Sequence, residues 1–251
     1  MAEIEIIPAL MPKTFDELVE QFSRLRGHAR MVQLDVMDGV FVPNTSWPYG
    51  QHAKRDHHFE AIMAENEDMP FWEDVEFEAD LMVSSPGTAW RDWMHAGAKR
   101  IILHLESIEK QTNHSTNALA ELVAKIQSQN PSPSSFLHVD IGIAINTVTP
   151  NERVHALIEK SDIDFVQFMG IARIGFQGEA FDHRVIQKIR DLRAQFPHVT
   201  ISVDGGVNLK TAPELIAAGA NRLVVGSAIM GRTDIEAAME DFYAVVDKAA
   251  Q

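Results

Sequence analysis

Short β-branched runs alternate with amphipathic stretches along the whole chain, and eight such repeats leave few folds open. A βα unit buries its strand only against further units around a parallel sheet, so the repeat predicts an α/β protein, a (β/α)8 TIM barrel. The expected strands are Ile4 to Leu10, Met31 to Met37, Val75 to Val83, Arg100 to His104, Val139 to Ile145, Phe165 to Met169, Thr200 to Val203 and Arg222 to Val225. With 251 residues, 45% of them hydrophobic, there is material for one large core. The expectation is a single TIM-barrel domain over 1–251 with an enlarged polar insertion at about 47–72, where the rhythm breaks and a His- and acid-rich stretch replaces or enlarges the second helix.

Local signals agree with the count. Thr14-Phe15-Asp16-Glu17 opens the first helix, with a Thr cap and a Glu three residues later placed to satisfy each other's free backbone donors. Ala96-Gly97-Ala98-Lys99-Arg100-Ile101-Ile102 and Ala218-Gly219-Ala220-Asn221-Arg222-Leu223-Val224 repeat one device, a helix end, a glycine stop and a strand start. They precede strands four and eight, half a barrel apart. Ser128 to Ser135 reads as a solvated loop.

A net charge of −14 argues against nucleic acid or an anionic membrane surface as a partner, since both reward clustered Lys and Arg. Cysteine is absent, which removes disulfides and thiolate chemistry and fits a reducing cytosol. Residues 1–5 lack a basic segment followed by an apolar core, and no apolar run approaches a membrane span. The expected location is cytoplasmic.

In a βα barrel the chemistry sits at the C-terminal ends of the strands, so polar residues there ask for a functional reading. Gln33, Asp35 and Met37 share one face of the second strand, and Asp204 closes the seventh. Two carboxylates across a barrel mouth can serve as base and acid on opposite faces of one carbon. The alternative for either is that it caps a loop or pairs with Arg. Gly175 and Gly178 follow strand six, Gly205 and Gly206 strand seven, and Gly226 with Ser227 strand eight, at the start of a short helix. Backbone bare of side chains at these turns lets N–H groups approach a phosphate, although each glycine alone is ordinary turn chemistry. Arg173 is a candidate cation beside them or a plain surface residue.

These residues resemble the ribulose-phosphate 3-epimerase family over Ile6 to Met230. The resemblance is carried by Gln33 to Asn44, Leu81-Met82-Val83, His104-Leu105-Glu106, Gly175 to Phe181, and Val203 to Val207 with Val225 to Ile229. It implies a phosphosugar epimerase of the ribulose-phosphate-binding barrel type, with Asp35 and Asp204 as the proton-transferring pair. It also implies that Met37, Met82 and Met169 lie against an enediolate and that the protein is a homo-oligomer. His104 ends strand four and points to the working end, a substrate-site candidate or a residue that bridges loops. Taken alone, the three methionines read as core packing.

The departures concern the metal. Where that family holds a divalent ion with two His and two Asp, this chain has Gln33, Asp35, Asp80 and Asp204. An oxygen-only set suits Mg²⁺ or Mn²⁺ better than Zn²⁺, and a site with no metal is the other expectation. His52, His57 and His58 in the insertion match no metal-ligand spacing and read as a solvated loop or a subunit contact. Glu76 and Glu78 lie deeper on the Asp80 strand face and are expected to pair with basic residues such as Arg30 or Arg100. Two further functions stay open: a non-catalytic or diverged phosphosugar-binding barrel, and a phosphosugar lyase. The lyase needs a strand-end Lys, and all nine lysines fall elsewhere.

Overall fold

The structure, a computed structural model, describes residues 4–50, 55–112, 117–160 and 162–249. Eight parallel strands close into a barrel in the order β1-β2-β3-β4-β5-β6-β7-β8. They are β1 Glu5–Leu10, β2 Met31–Met37, β3 Glu76–Met82, β4 Arg100–His104, β5 Asp140–Ile145, β6 Phe165–Met169, β7 Thr200–Asp204 and β8 Arg222–Val225. The helices are α1 Phe15–Leu25, α2 His57–Met63, α3 Pro86–His95, α4 Leu105–Gln111, α5 Ala118–Gln129, α6 Glu152–Glu159, α7 Arg184–Gln195, α8 Ala212–Ala218, α9 Ser227–Met230 and α10 Ile235–Ala249. This is the (β/α)8 TIM barrel expected from the repeat, and every expected strand is present to within a residue at each end. None of the helices is long and apolar enough to cross a membrane.

By internal contacts the chain divides into two compact units, Leu10–Gly142 and Ile143–Gln251 with the N-terminal residues through Ala9. In the first, β2, β3 and β4 pair in register, Asp35 beside Asp80 and Glu78 beside Arg100. In the second, β6, β7, β8 and β1 pair, Met169 beside Asp204 and Glu5 beside Arg222. The strands are near-continuous in apolar residues because parallel strands are covered on both faces.

The paired glycine stops are the same structure twice. Ala98 N–H bonds Trp93 O and Gly97 N–H bonds Met94 O; Ala220 N–H bonds Leu215 O and Gly219 N–H bonds Ile216 O. Both are Schellman ends, with glycine at φ +92° and +114°. The α1 cap differs from expectation in one partner. Thr14 Oγ1 accepts from Glu17 N–H at 3.2 Å, but Glu17 Oε2 accepts from Lys13 N–H at 2.7 Å, not from Thr14. Thr14→Ala is expected to cost about 1 kcal/mol in urea unfolding, the usual worth of such a cap.

The 47–72 segment is less polar in its packing than in its composition. It supplies α2 and buries Trp47, Phe59, Ile62 and Met69. Trp47 and Phe59 join Trp93 of α3 and Phe77 of β3 in one aromatic cluster, with ring centroids 4.9 to 6.1 Å apart. The Ser128 to Ser135 loop starts later than its composition suggests, since α5 continues through Gln129.

Candidate active site

The C-terminal end of β2 is held by short-range bonds. Gln33 Nε2 donates to Asp35 Oδ1 at 2.9 Å, two residues along the same face. Ser46, fully buried, closes the strand end: its Oγ–H donates to Asp35 O at 2.5 Å, its Oγ accepts from Met37 N–H at 2.8 Å, and its own N–H donates to Met37 O at 3.0 Å. Beyond Met37 the chain turns at Asp38, whose Oδ1 accepts from the N–H groups of Val40 and Phe41 while Oδ2 accepts from Ser84 N–H at 2.7 Å. Burial pushes the Asp38 carboxyl up, but bonds from Ser84, Val40 and Phe41 outweigh it and hold the group below its ordinary value. Asp38 thereby ties the loop after β2 to the loop after β3. The Ser46 bonds and the Asp38–Ser84 tie escaped sequence reasoning as site supports because these partners lie 9 to 46 residues apart.

Asp80 lies next to Asp35 across the β2–β3 register and is fully buried. His104, at the end of β4 and also fully buried, brings Nε2 to 2.9 Å from Asp80 Oδ1. The Phe41 ring packs on His104, centroids 5.6 Å apart. Deeper in the same unit, Arg100 Nη1 reaches Glu78 Oε2 at 3.1 Å, and Arg30 Nε lies 3.3 Å from Glu76, as expected for carboxylates near the strand starts. Met37 and Met82 are buried neighbours in the register.

In the other unit, Asp204 closes β7 beside Met169 of β6, and a Gln167–Ser202 hydrogen bond of 3.2 Å sits one pleat below. Gly170 N–H donates to Asp204 O at 2.6 Å. The loop after β6 returns through an Ile171–Phe181 bridge and an Asp182 N–H bond to Gly170 O. Hydrogen bonds from Arg184 hold the Asp182 carboxyl at about 2, despite some burial. Phe181 packs so closely on the Gly205-Gly206 turn that a Cβ on Gly206 would meet Phe181 Cα at 2.9 Å. Gly206 has φ +69°, so both the backbone and the space demand glycine. Gly206→Ala is expected to lose on the order of 1–3 kcal/mol in urea unfolding. Gly178→Ala, at φ +75° with nothing within 4 Å, is expected to lose about 1 kcal/mol, the left-handed cost alone. Gly175 is likewise left-handed, at φ +82°. Gly226 and Ser227 lead into α9, with the Gln177 amide at 3.3 Å from a Cβ position on Gly226.

Other candidates sit apart from this chemistry. His58 is stacked on Phe15 at 4.0 Å and bonded to Glu67 at 2.7 Å, and the His57 side chain is 83% exposed. His52 lies outside the described residues. Arg173 stacks over Phe176 and approaches Glu179 at 3.7 Å on the surface.

The carboxylates of Asp35 and Asp80, neighbours in the β2–β3 register, are acidic groups that could hold a metal ion. Gln33 adds a neutral oxygen: Oε1 is buried with no hydrogen-bond partner among the described residues. A donor set of carboxylate and amide oxygens fits a hard divalent cation.

Comparison with known proteins bears on this arrangement. Ribulose-phosphate 3-epimerase from Bacillus subtilis is 29% identical over 245 residues, 95% of this chain and 97% of that protein. The cytoplasmic isoform from Oryza sativa subsp. japonica is 28% identical over 237 residues, covering 93% and 90%. Among solved structures, 3-hexulose-6-phosphate synthase from Salmonella typhimurium superposes with a TM-score of 0.59 at 16% identity, covering 98% of this chain and 100% of that one. That likeness speaks to the fold alone. The sequence pattern described as the Ribulose-phosphate 3 epimerase family matches residues 5–230. With nearly the whole chain matched, strands, turns and strand-end aspartates included, this protein belongs to the ribulose-phosphate 3 epimerase family.

Proposed function

We propose that this carbohydrate-phosphate epimerase inverts the carbinol carbon next to the ketone of a ketose phosphate, with Asp35 and Asp204 exchanging the proton on its two faces. The observation that carries the reading is the placement of these two carboxylates. Each lies at the C-terminal end of a barrel strand, β2 and β7, and each is almost buried, at 7% and 8% exposure. The working end of such a barrel is built from those strand ends. One carboxylate takes the proton from C3, and the C–H electron pair moves into the C2–C3 bond while the carbonyl electrons move onto oxygen, giving an enediolate. The other carboxylic acid then returns a proton to C3 from the opposite face, and the carbonyl reforms. Either residue starts the reaction, depending on the epimer bound.

Met37, Met82 and Met169 supply an apolar wall that keeps water from protonating the enediolate. Backbone N–H groups of Gly175, Gly178, Gly205, Gly206, Gly226 and Ser227 receive the phosphate, the reading for which glycine turns after strands six, seven and eight are suited. Asp35, Asp80 and Asp204, with Gln33 Oε1, would hold Mg²⁺ or Mn²⁺ in preference to Zn²⁺, for want of nitrogen or sulfur donors in the set. A cation bound there supplies positive charge for the enediolate oxygen. Assignment to one domain, a cytoplasmic location and a homo-oligomeric state belong to the same proposal.

The test is incubation with ribulose 5-phosphate in D₂O, with and without Mn²⁺ or Mg²⁺, following deuterium at C3. Entry of deuterium with inversion is expected. Binding of pentulose and hexulose phosphates without any exchange would replace the epimerase by a phosphosugar-binding barrel. Stoichiometric zinc in the purified protein would overturn the hard-cation assignment.

A further inference from the structure

We infer that His104 is a positioning residue: by donating Nε2–H to Asp80 Oδ1 it fixes the Asp80 carboxylate beside Asp35, and it acts on the reaction through Asp80, not by touching the substrate. This rests on the assignment of Asp35 as a proton-transfer group. Nε2 lies 2.9 Å from Asp80 Oδ1, within hydrogen-bond distance, and the tautomer with the hydrogen on Nε2 makes the imidazole the donor. Both side chains are wholly shielded, with 0% exposure each. Phe41 lies on the imidazole at 5.6 Å, and Phe41 is itself held by the Asp38 turn through its N–H. With no exposed surface, the imidazole offers no face to a substrate in this structure.

What the bond controls follows from the register. Asp80 and Asp35 are direct neighbours on β3 and β2, so the plane of the Asp80 carboxylate sets which of its oxygens faces Asp35. Asp35 has its own orienting donor in Gln33 Nε2. Two adjacent carboxylates thus each have a partner at Oδ1, a neutral amide on the same strand in one case and an imidazole from the next strand in the other. Because Gln33 anchors Asp35 independently, loss of His104 should disturb the setting of the base and spare substrate binding.

Variants at positions 104 and 80 test the inference, each assayed with ribulose 5-phosphate for C3 exchange, kcat and KM, with the unfolding midpoint recorded. His104→Phe keeps a ring and removes the donor; His104→Gln keeps a donor near the Nε2 position and removes the ring. Partners that orient functional groups in this way typically carry about 10- to 100-fold of activity. His104→Phe is expected to lose that much in kcat with KM little changed, and His104→Gln to recover most of it. In an Asp80→Asn background, His104→Phe should add little further loss, since the two residues act as one unit. Recovery by Phe and not by Gln would assign His104 to packing and overturn the inference. A raised KM with unchanged kcat would assign it to substrate contact, with the same result. If His104→Phe does not fold, His104→Gln against His104→Asn decides, because the shorter amide places its nitrogen near Nδ1; equal activities would overturn the inference. Wild-type protein without C3 exchange defeats the epimerase reading before any variant is made. Active wild type with an indifferent His104→Phe defeats only the positioning role.

Discussion

Asp35→Asn and Asp204→Asn are each expected to stop inversion in both directions while leaving each variant able to exchange the C3 hydrogen of one epimer. In a two-base reaction each carboxylate faces one side of the carbon, so removing one leaves the other able to take and return a proton on its own side. The substitution keeps shape and an acceptor: an amide oxygen at position 35 can still receive the Gln33 Nε2–H bond that holds Asp35 Oδ1. What disappears is the proton acceptor, and general acid–base groups of this kind carry about 10²–10⁴-fold in rate. Net epimerisation should fall by that factor in either single variant. Exchange from one epimer should persist in Asp35→Asn and from the other in Asp204→Asn, and the double variant should lose both. Proton NMR at C3 in D₂O separates these outcomes. If one variant loses exchange from both epimers and the other loses none, a single residue does all the proton transfer and the two-face assignment fails. The unfolding midpoint is not expected to drop, because replacing a nearly buried carboxylate by a neutral amide relieves desolvation.

Most of the barrel was legible because strand and helix signals are local. A β-branched run between glycine or capping signals is one strand whatever surrounds it, and Arg100 to His104, Phe165 to Met169 and Arg222 to Val225 are found at the expected residues. The Gln33–Asp35 contact follows from the two-residue repeat of a strand, which puts both side chains on one face. The Arg100–Glu78 pair was within reach for a similar reason, charge complementarity near strand starts. Long-range contacts were less accessible. The Asp80–His104 bond joins residues 24 apart, and its place at the end of strand four made His104 a substrate-site candidate. No local signal marks Ser46, yet it bonds the backbone at both Asp35 and Met37. The 47–72 segment shows another limit. Its three His and five acidic residues mark it as polar, while among the described residues it buries Trp47, Phe59, Ile62 and Met69. Composition averages over a segment; burial is decided side chain by side chain.

Trp93→Ala is expected to be the most destabilising single change in the unit that carries Asp35, at about 3–5 kcal/mol, and to reduce turnover as well. Trp93 is 1% exposed on α3 and meets three rings, Phe59 at 4.9 Å, Trp47 at 6.0 Å and Phe77 at 6.1 Å. Truncation leaves a cavity bounded by rigid aromatic faces, which cannot collapse to fill it, so the loss falls at the upper end for a core residue. The functional consequence runs along the chain. Trp47 follows Ser46, the side chain that bonds Asp35 O and Met37 N–H at the end of β2. A Trp47 ring that has lost Trp93, one of its two edge-on partners, Phe59 being the other, holds that residue less firmly, and small displacements of a catalytic group can cost up to about 10²-fold in rate. Urea unfolding and kcat measured on the same preparations test both parts. Trp93→Phe, which keeps a ring against Phe59, should retain more stability and more turnover than Trp93→Ala. A destabilised Trp93→Ala protein with wild-type kcat, assayed well below its unfolding transition, would show that the aromatic cluster supports the fold without setting the position of Asp35.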